Sequence, residues 1–150
     1  MILKFRAWDK KNKTMHEVEL IDFIDNIGYL SIEDGRGDWY SFEVDTILMQ
    51  STGLKDKNGV EIFEGDIVQS FSNINRISDP HLTETIEPKY KNKIVIFTNG
   101  AFVLSDDGKR EYGGVLNHYV GSMVKDLEVI GNIWEDGELL SDSKRTTTKI

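Results

Sequence analysis

Short stretches of alternating apolar and polar side chains, separated by turn sequences, limit what this chain can fold into. Two Asn-Gly dipeptides, Asn58-Gly59 and Asn99-Gly100, each lie between two such stretches. Asn-Gly adopts the two positive φ angles of a type I′ turn at little cost, and this turn matches the twist of paired strands. Both dipeptides therefore predict β-hairpins. Because a period of two buries one face of each strand, we expect a mainly β fold with minor α content.

Four segments depart from this simple pattern. Residues 17–24 also fit a helix, although their β-branched side chains favour a strand. Apolar side chains recur in steps of three and four from Val115 to Leu127, which predicts an amphipathic helix. Residues 71–91 hold both prolines and show neither period, so they predict a long variable loop. The polar residues 141–150 predict a disordered tail.

The length of the chain allows one hydrophobic core. It has 150 residues, of which 39% are apolar. A domain of this size buries about 68–70% of the surface that its unfolded chain exposes. We therefore expect residues 1–140 to form a single domain. Within it, a β portion of residues 1–50 is expected to pack on a small SH3-like barrel portion, residues 53–134, which carries the variable loop 71–91.

The composition argues against several classes of function. A net charge of −8 opposes binding to nucleic acid or an anionic membrane through the overall field of the protein. The chain has no Cys, which removes disulfides and thiol nucleophiles. Apolar runs are too short for a membrane span or a signal peptide, so we expect an intracellular protein with no membrane partner. The histidines, His16, His81 and His118, have no metal-ligand spacing, so neither a metal nor a cofactor is expected.

Positive charge is concentrated in the first predicted strand and the turn that follows it. Residues 4–13 carry five Lys or Arg and one Asp. Basic and aromatic side chains on one strand face could neutralise and stack on a nucleic-acid strand. The favoured interpretation is a solvated edge strand on which lysines prevent mispairing, because the overall charge is negative. The possible nucleic-acid contacts are Lys4, Arg6, Trp8, Lys10, Lys11 and Lys13.

A hydrolytic site is the third possibility. It would use Asp56, just before the Asn58-Gly59 turn, and Asp66, at the end of a tight turn Glu64-Gly65-Asp66, together with His81 in the long loop. This hypothesis requires the three side chains to meet in one pocket. Aspartates in turns more often accept hydrogen bonds from nearby backbone amides, so a structural role for Asp56 and Asp66 is favoured.

Three segments together resemble the YopX-like family of phage and prophage proteins. They are the sequences from Lys4 to Asp9, from Gln50 to Val68 and from Glu128 to Glu135. The resemblance implies a phage-encoded protein that acts in the host bacterial cytoplasm. The family brings no established activity, so no catalytic residue is carried over.

These observations leave three functions open. The leading hypothesis is a non-enzymatic accessory protein that acts through protein–protein contacts, as a homo-oligomer and with an unidentified host or phage protein. The second is a regulatory protein that binds nucleic acid through the basic face between Lys4 and Lys13. The third is the hydrolase described above.

Overall fold

The computed structural model describes residues 3–31, 36–71, 80–81, 89–108, 114–115 and 127–140. Within these ranges the chain is almost entirely β, as the alternating pattern predicts. The strands are β1 (Phe5–Asp9), β2 (Thr14–Asp22), β3 (Ile27–Ser31), β4 (Gly37–Ser41), β5 (Thr46–Lys55), β6 (Glu61–Phe63), β7 (Asp66–Phe71), β8 (Tyr90–Thr98), β9 (Ala101–Ser105), β10 (Gly114–Val115) and β11 (Glu128–Asn132). A 3₁₀ turn, Gly137–Leu140, follows β11.

The strands form two antiparallel sheets. The first has six strands in the order β4-β3-β2-β1-β5-β6, and the second has five in the order β10-β9-β8-β7-β11. Most neighbours in space are also neighbours in sequence, although residues 72–89 separate β7 from β8. Among the described residues, the outermost strands of each sheet pair with a neighbouring strand on one side only. The expected SH3-like portion is therefore an open sheet and not a closed barrel.

The position of β1 corrects one expectation. This strand pairs with β2 on one side and with β5 on the other, so it lies inside the sheet and is not an edge strand. Its predicted wetter face is covered as well, since Trp8 is only 5% exposed. The cause is tertiary: β6, the β6–β7 turn and the segment after β11 pack over that face.

Both predicted hairpins are confirmed, with one difference in turn type. Asn99 and Gly100 have φ angles of 51° and 78°, which fit the expected type I′ turn between β8 and β9. Between β5 and β6, only Gly59 has a positive φ, and its N–H donates to the carbonyl of Asp56. This second turn therefore resembles a type I turn followed by a glycine bulge.

The turn at Glu64-Gly65 joins the two sheets. The Glu64 N–H donates to Gln50 of β5, whereas the Gly65 N–H donates to Val95 of β8. The Gly65 carbonyl accepts from the N–H of Ile133, after β11. The first sheet thus continues past residue 50 through β5 and β6, and the change from one sheet to the other falls at Gly65.

A cluster of buried apolar side chains lies under the second sheet. It contains buried side chains from β6, β7, β8 and β9 and from the residue before β11, with Leu54 and Val129 packed against it. The buried members are Ile62, Val68, Val95, Phe102, Leu104 and Leu127. Beside the cluster, the buried Gln69 side chain donates to Asn92, whose own amide donates to the carbonyl of Leu139. The C-terminal 3₁₀ turn is thereby fixed to β8.

Several expectations fall outside the described residues. The predicted helix over 115–127 is described only at its ends, where Val115 belongs to β10 and Leu127 is buried before β11. Most of the loop 71–91 and all of the tail 141–150 lie outside the description, as does His118.

Candidate functional site

Two members of the predicted nucleic-acid face point into the protein. The Arg6 side chain is 15% exposed, and its Nη2 lies 2.7 Å from Oδ1 of Asp66. The same nitrogen donates to the Glu64 carbonyl at 3.2 Å, and the guanidinium lies 4.8 Å from the centre of the Phe63 ring. Arg6 therefore holds the β6–β7 turn against β1.

Trp8 has a similar structural role. Its ring stacks on that of Trp134 with 6.4 Å between centroids, and the Trp134 indole N–H points to the sulfur of Met49 at 3.2 Å. A base could not stack on Trp8 without displacing Trp134. The aromatic part of the predicted face is thus absent from the surface.

The lysines of that face remain exposed. Lys10, Lys11 and Lys13 lie in the β1–β2 turn, where Lys13 has a φ of 55°. Lys4 is also exposed and pairs with Glu61 at 3.5 Å. Of the predicted nucleic-acid contacts, only Lys4 and the three lysines of the β1–β2 turn are therefore exposed. No aromatic side chain of the predicted set remains on the surface for a base to stack on.

The two aspartates of the hydrolase hypothesis are occupied by structural hydrogen bonds. Asp56 is buried, and it accepts the N–H groups of Asn58, Val60 and Val129 at 2.8–2.9 Å. Asp66 accepts the N–H of Phe63 in addition to its pairing with Arg6.

Burial raises the pKa of Asp66, and the neighbouring guanidinium opposes this shift. The two carboxylates are close enough for Asp56 to raise the pKa of Asp66 further. His81 is exposed and belongs to neither sheet. The arrangement favours the structural role of both aspartates that turn chemistry predicted.

A groove lies on the first sheet beside Tyr40. It has a volume of about 720 Å³, and its wall includes the start of β2, Ser31 of β3 and Glu135. His16 stands in it 5.7 Å from the Tyr40 ring. One ring nitrogen of His16 lies 2.8 Å from the Ser31 carbonyl, so it carries the proton of that hydrogen bond. The other nitrogen lies 2.7 Å from the Thr14 hydroxyl, which fixes the ring.

A smaller hollow of about 250 Å³ adjoins the groove at Tyr40. Asp9, Asp38 and Asp45 line it together with Trp39. Burial raises the pKa of Tyr40, and the charges of Asp9 and Asp38 raise it further, because they disfavour a phenolate nearby. Three carboxylates and one cation, Lys11, therefore line this hollow.

The negative charge of the protein is concentrated in one part of the chain. Residues 17–45, called the acidic unit below, hold nine Asp or Glu and one Arg. Their net charge of −8 equals that of the whole protein, so the remaining residues carry equal numbers of acidic and basic groups. The unit comprises β3, β4 and most of β2. Counting charge by segment, and not only over the N-terminus, would have revealed it from sequence.

The acidic unit also exposes large apolar side chains. Leu20, Tyr29 and Trp39 occupy one row across β2, β3 and β4, and such partners share a sheet face. Trp39 is 52% exposed and meets Tyr29 edge-on at 5.1 Å. Five of the nine exposed large apolar side chains that the structure describes belong to this unit: Leu20, Phe23, Ile24, Trp39 and Val44.

The exposed turns of the acidic unit lie at the same end of its sheet. Phe42 donates its N–H to the carbonyl of Asn26, and the Asn26 side chain donates to Glu43. These bonds join the β2–β3 turn, which carries Ile24 at 92% exposure, to the turn that carries Val44. Exposed apolar side chains and exposed carboxylates are therefore both present on the strands and turns of this unit.

Among the described residues, no group of three or more His, Asp or Glu side chains is arranged to hold a metal ion. Nor does this part of the chain include a helix with the length and apolarity to cross a membrane. The fold and surface together define a class: a β protein of two antiparallel sheets whose outer strands form an acidic and apolar unit.

The chain belongs to the YopX family, because the family model described as YopX protein matches residues 4–141. The resemblance of the three sequence segments is thereby confirmed. No curated protein matches the chain.

Two solved structures are similar over most of their length. Protein EF1440 from Enterococcus faecalis is 28% identical, with a TM-score of 0.57 over 93% of this chain and 99% of that one. Protein yopX from Bacillus subtilis is 18% identical, with a TM-score of 0.56 over 91% of this chain and 96% of that one. The second likeness supports the fold alone.

Proposed function

We propose that this protein is a phage accessory protein that acts in the host bacterial cytoplasm through protein–protein contacts, without catalysis and as a homo-oligomer. One observation carries the proposal: the acidic unit leaves Leu20, Ile24, Trp39 and other large apolar side chains exposed to solvent. Apolar side chains gathered on a surface are typical of interaction sites, and Trp is frequent among residues that dominate interface energies.

Self-association would use a surface outside the acidic unit. Two copies that met through this unit would each bring a net charge of −8 into the interface. Phe97, which is 48% exposed beside Phe102 in the second sheet, is one apolar side chain that remains available for it. We therefore expect the oligomer and the contact with another protein to be separable by mutation.

Site-specific photo-crosslinking in host cells tests the contact. A photoreactive phenylalanine analogue replaces Trp39, and the same analogue replaces the exposed Val60 in a matched control. A discrete protein adduct from position 39 alone would support the proposal, whereas nucleic-acid adducts or no adduct would oppose it. Sedimentation velocity on the purified protein tests the oligomer, and a monomer at all concentrations would refute that part.

Nucleic-acid binding is the second candidate, because three exposed lysines share the β1–β2 turn. A variant with Lys10→Gln, Lys11→Gln and Lys13→Gln should then lose DNA or RNA binding, with a smaller dependence on salt. Absence of binding by the unmodified protein at low salt would remove this candidate.

A further inference from the structure

We infer that the partner of the acidic unit is a basic protein surface that carries apolar side chains. The inference rests on the proposed function and specifies its partner. An apolar surface alone would fit many partners, but this one lies within a segment of net charge −8. Charge complementarity selects a positive partner and suppresses neutral or acidic ones, because like charges brought together in an interface repel strongly.

The carboxylates of the unit are positioned by neutral donors. Asp22 accepts the backbone N–H groups of Ile24 and Asp25, and Glu43 accepts from the side chain of Asn26. A neutral donor fixes a carboxylate without cancelling its charge. Glu17, Glu19, Asp25, Asp38, Glu43 and Asp45 are all exposed. The strands and turns that carry the apolar row therefore also carry exposed negative charge, which can attract lysine or arginine side chains of a partner.

The open edge of β4 indicates how the partner docks. The Trp39 N–H donates to Oδ1 of Asp38 at 2.8 Å. A peptide that added a strand to this edge would have to displace that carboxylate. Contact through the exposed side chains of Leu20 and Trp39 needs no such change. The partner is thus expected to cover the face of the sheet.

Peptide binding, measured by isothermal titration calorimetry at 150 mM salt, tests the chemistry of the partner. The probe is a synthetic 16-residue peptide of alternating Lys and Leu. Two matched peptides alternate Lys with Ser and Glu with Leu. We expect the Lys-Leu peptide to bind at least about tenfold more tightly than either control, because it alone supplies both charge and apolar contact. Equal binding of the Lys-Ser peptide, or of the Glu-Leu peptide, would overturn the inference.

Paired variants test whether the acidic unit is the binding surface. Leu20→Ser with Trp39→Ser should weaken Lys-Leu binding by about tenfold or more, since exposed aromatic anchors dominate such interfaces. Leu3→Ser with Val60→Ser removes two exposed apolar side chains elsewhere and should leave affinity unchanged. Circular dichroism and thermal melting check that both variants fold. Equal affinity of the two variants would place binding outside the unit and overturn the inference.

The outcomes separate this inference from the function on which it rests. A protein adduct at position 39, together with no preference for the Lys-Leu peptide, would overturn the basic partner alone. Absence of that adduct would count against the proposed function itself. Loss of self-association in the Leu20 and Trp39 variant would identify a second copy as the occupant, and would overturn the basic partner.

Discussion

Replacement of Asp56 by Ala should destabilise the protein far more than a similar change in another turn. The Asp56 carboxylate accepts the N–H groups of Asn58 and Val60 within the β5–β6 turn. It also accepts the N–H of Val129, at 2.9 Å, across 73 positions in sequence. One buried side chain therefore shapes a hairpin and fixes it to β11.

The size of the effect follows from where each donor lies. Water can reach Asn58 and Val60, which are exposed, so each lost bond there costs about 0.5–1 kcal/mol. Val129 is packed against the core, and its N–H loses a charged acceptor, which costs about 2 kcal/mol. We expect Asp56→Ala to lower the free energy of unfolding by about 3–4 kcal/mol, a large part of the 5–15 kcal/mol typical of domains.

Urea denaturation followed by circular dichroism measures this change. Asp22→Ala is the matched control, because Asp22 accepts two backbone N–H groups in an exposed turn, from residues two and three positions further along the chain. The control should lose about 1 kcal/mol. Asp56→Asn isolates the third bond, since its carbonyl oxygen keeps the turn while its amide faces the N–H of Val129. Equal losses for Asp56→Ala and Asp22→Ala would refute the reasoning.

Three further changes test other parts of the structure. Burial favours a higher pKa for Asp9, but hydrogen bonds from neighbouring amides outweigh it and hold the pKa below its usual value. The ionised Asp9 therefore stabilises the fold above about pH 4, and this stabilisation is lost as the pH falls through the lowered pKa. In acid denaturation, the Asp9→Asn variant should therefore lose less free energy of unfolding than the unmodified protein between about pH 5 and about pH 2. In urea unfolding, Gly65→Ala should lower the free energy of unfolding by about 2–3 kcal/mol, because φ is +87° and a Cβ would lie 2.9 Å from the sulfur of Met49. Gly59→Ala, where φ is +80° but the space is open, should lower it by about 1 kcal/mol. Arg6→Met leaves the Asp66 carboxylate buried without a counter-charge and should lower the free energy of unfolding by about 3 kcal/mol. Thermal melts close to those of the unmodified protein would contradict this prediction.

Local sequence was sufficient for the strands and for many of the turns. Asn99-Gly100 adopts the predicted type I′ geometry because both residues accept positive φ angles without tertiary help. Residues 17–22 form strand rather than the alternative helix, in agreement with their β-branched side chains. The type of the β5–β6 turn was missed, because the Asp56 carboxylate bonds two backbone amides of that turn and so favours another geometry.

The candidate site was less accessible to sequence reasoning. The basic residues near the N-terminus suggested one exposed face, yet Arg6 and Trp8 are covered by partners 60 and 126 positions away along the chain. The acidic unit is visible in the sequence as charge. Its apolar row is not, because the exposure of Leu20 and Trp39 depends on what packs against that sheet face.

The sequence by itself determined a β-rich chain with hairpin connections, its YopX family, and the segment in which its negative charge resides. These features depend on neighbouring residues, through backbone preference, period and composition. Only the tertiary structure decided that β1 is an interior strand, that Gly65 joins the two sheets, and that the apolar row of β2, β3 and β4 faces solvent. Alternation along a strand determines which side chains share a face. Which face is covered depends on contacts between residues far apart in sequence.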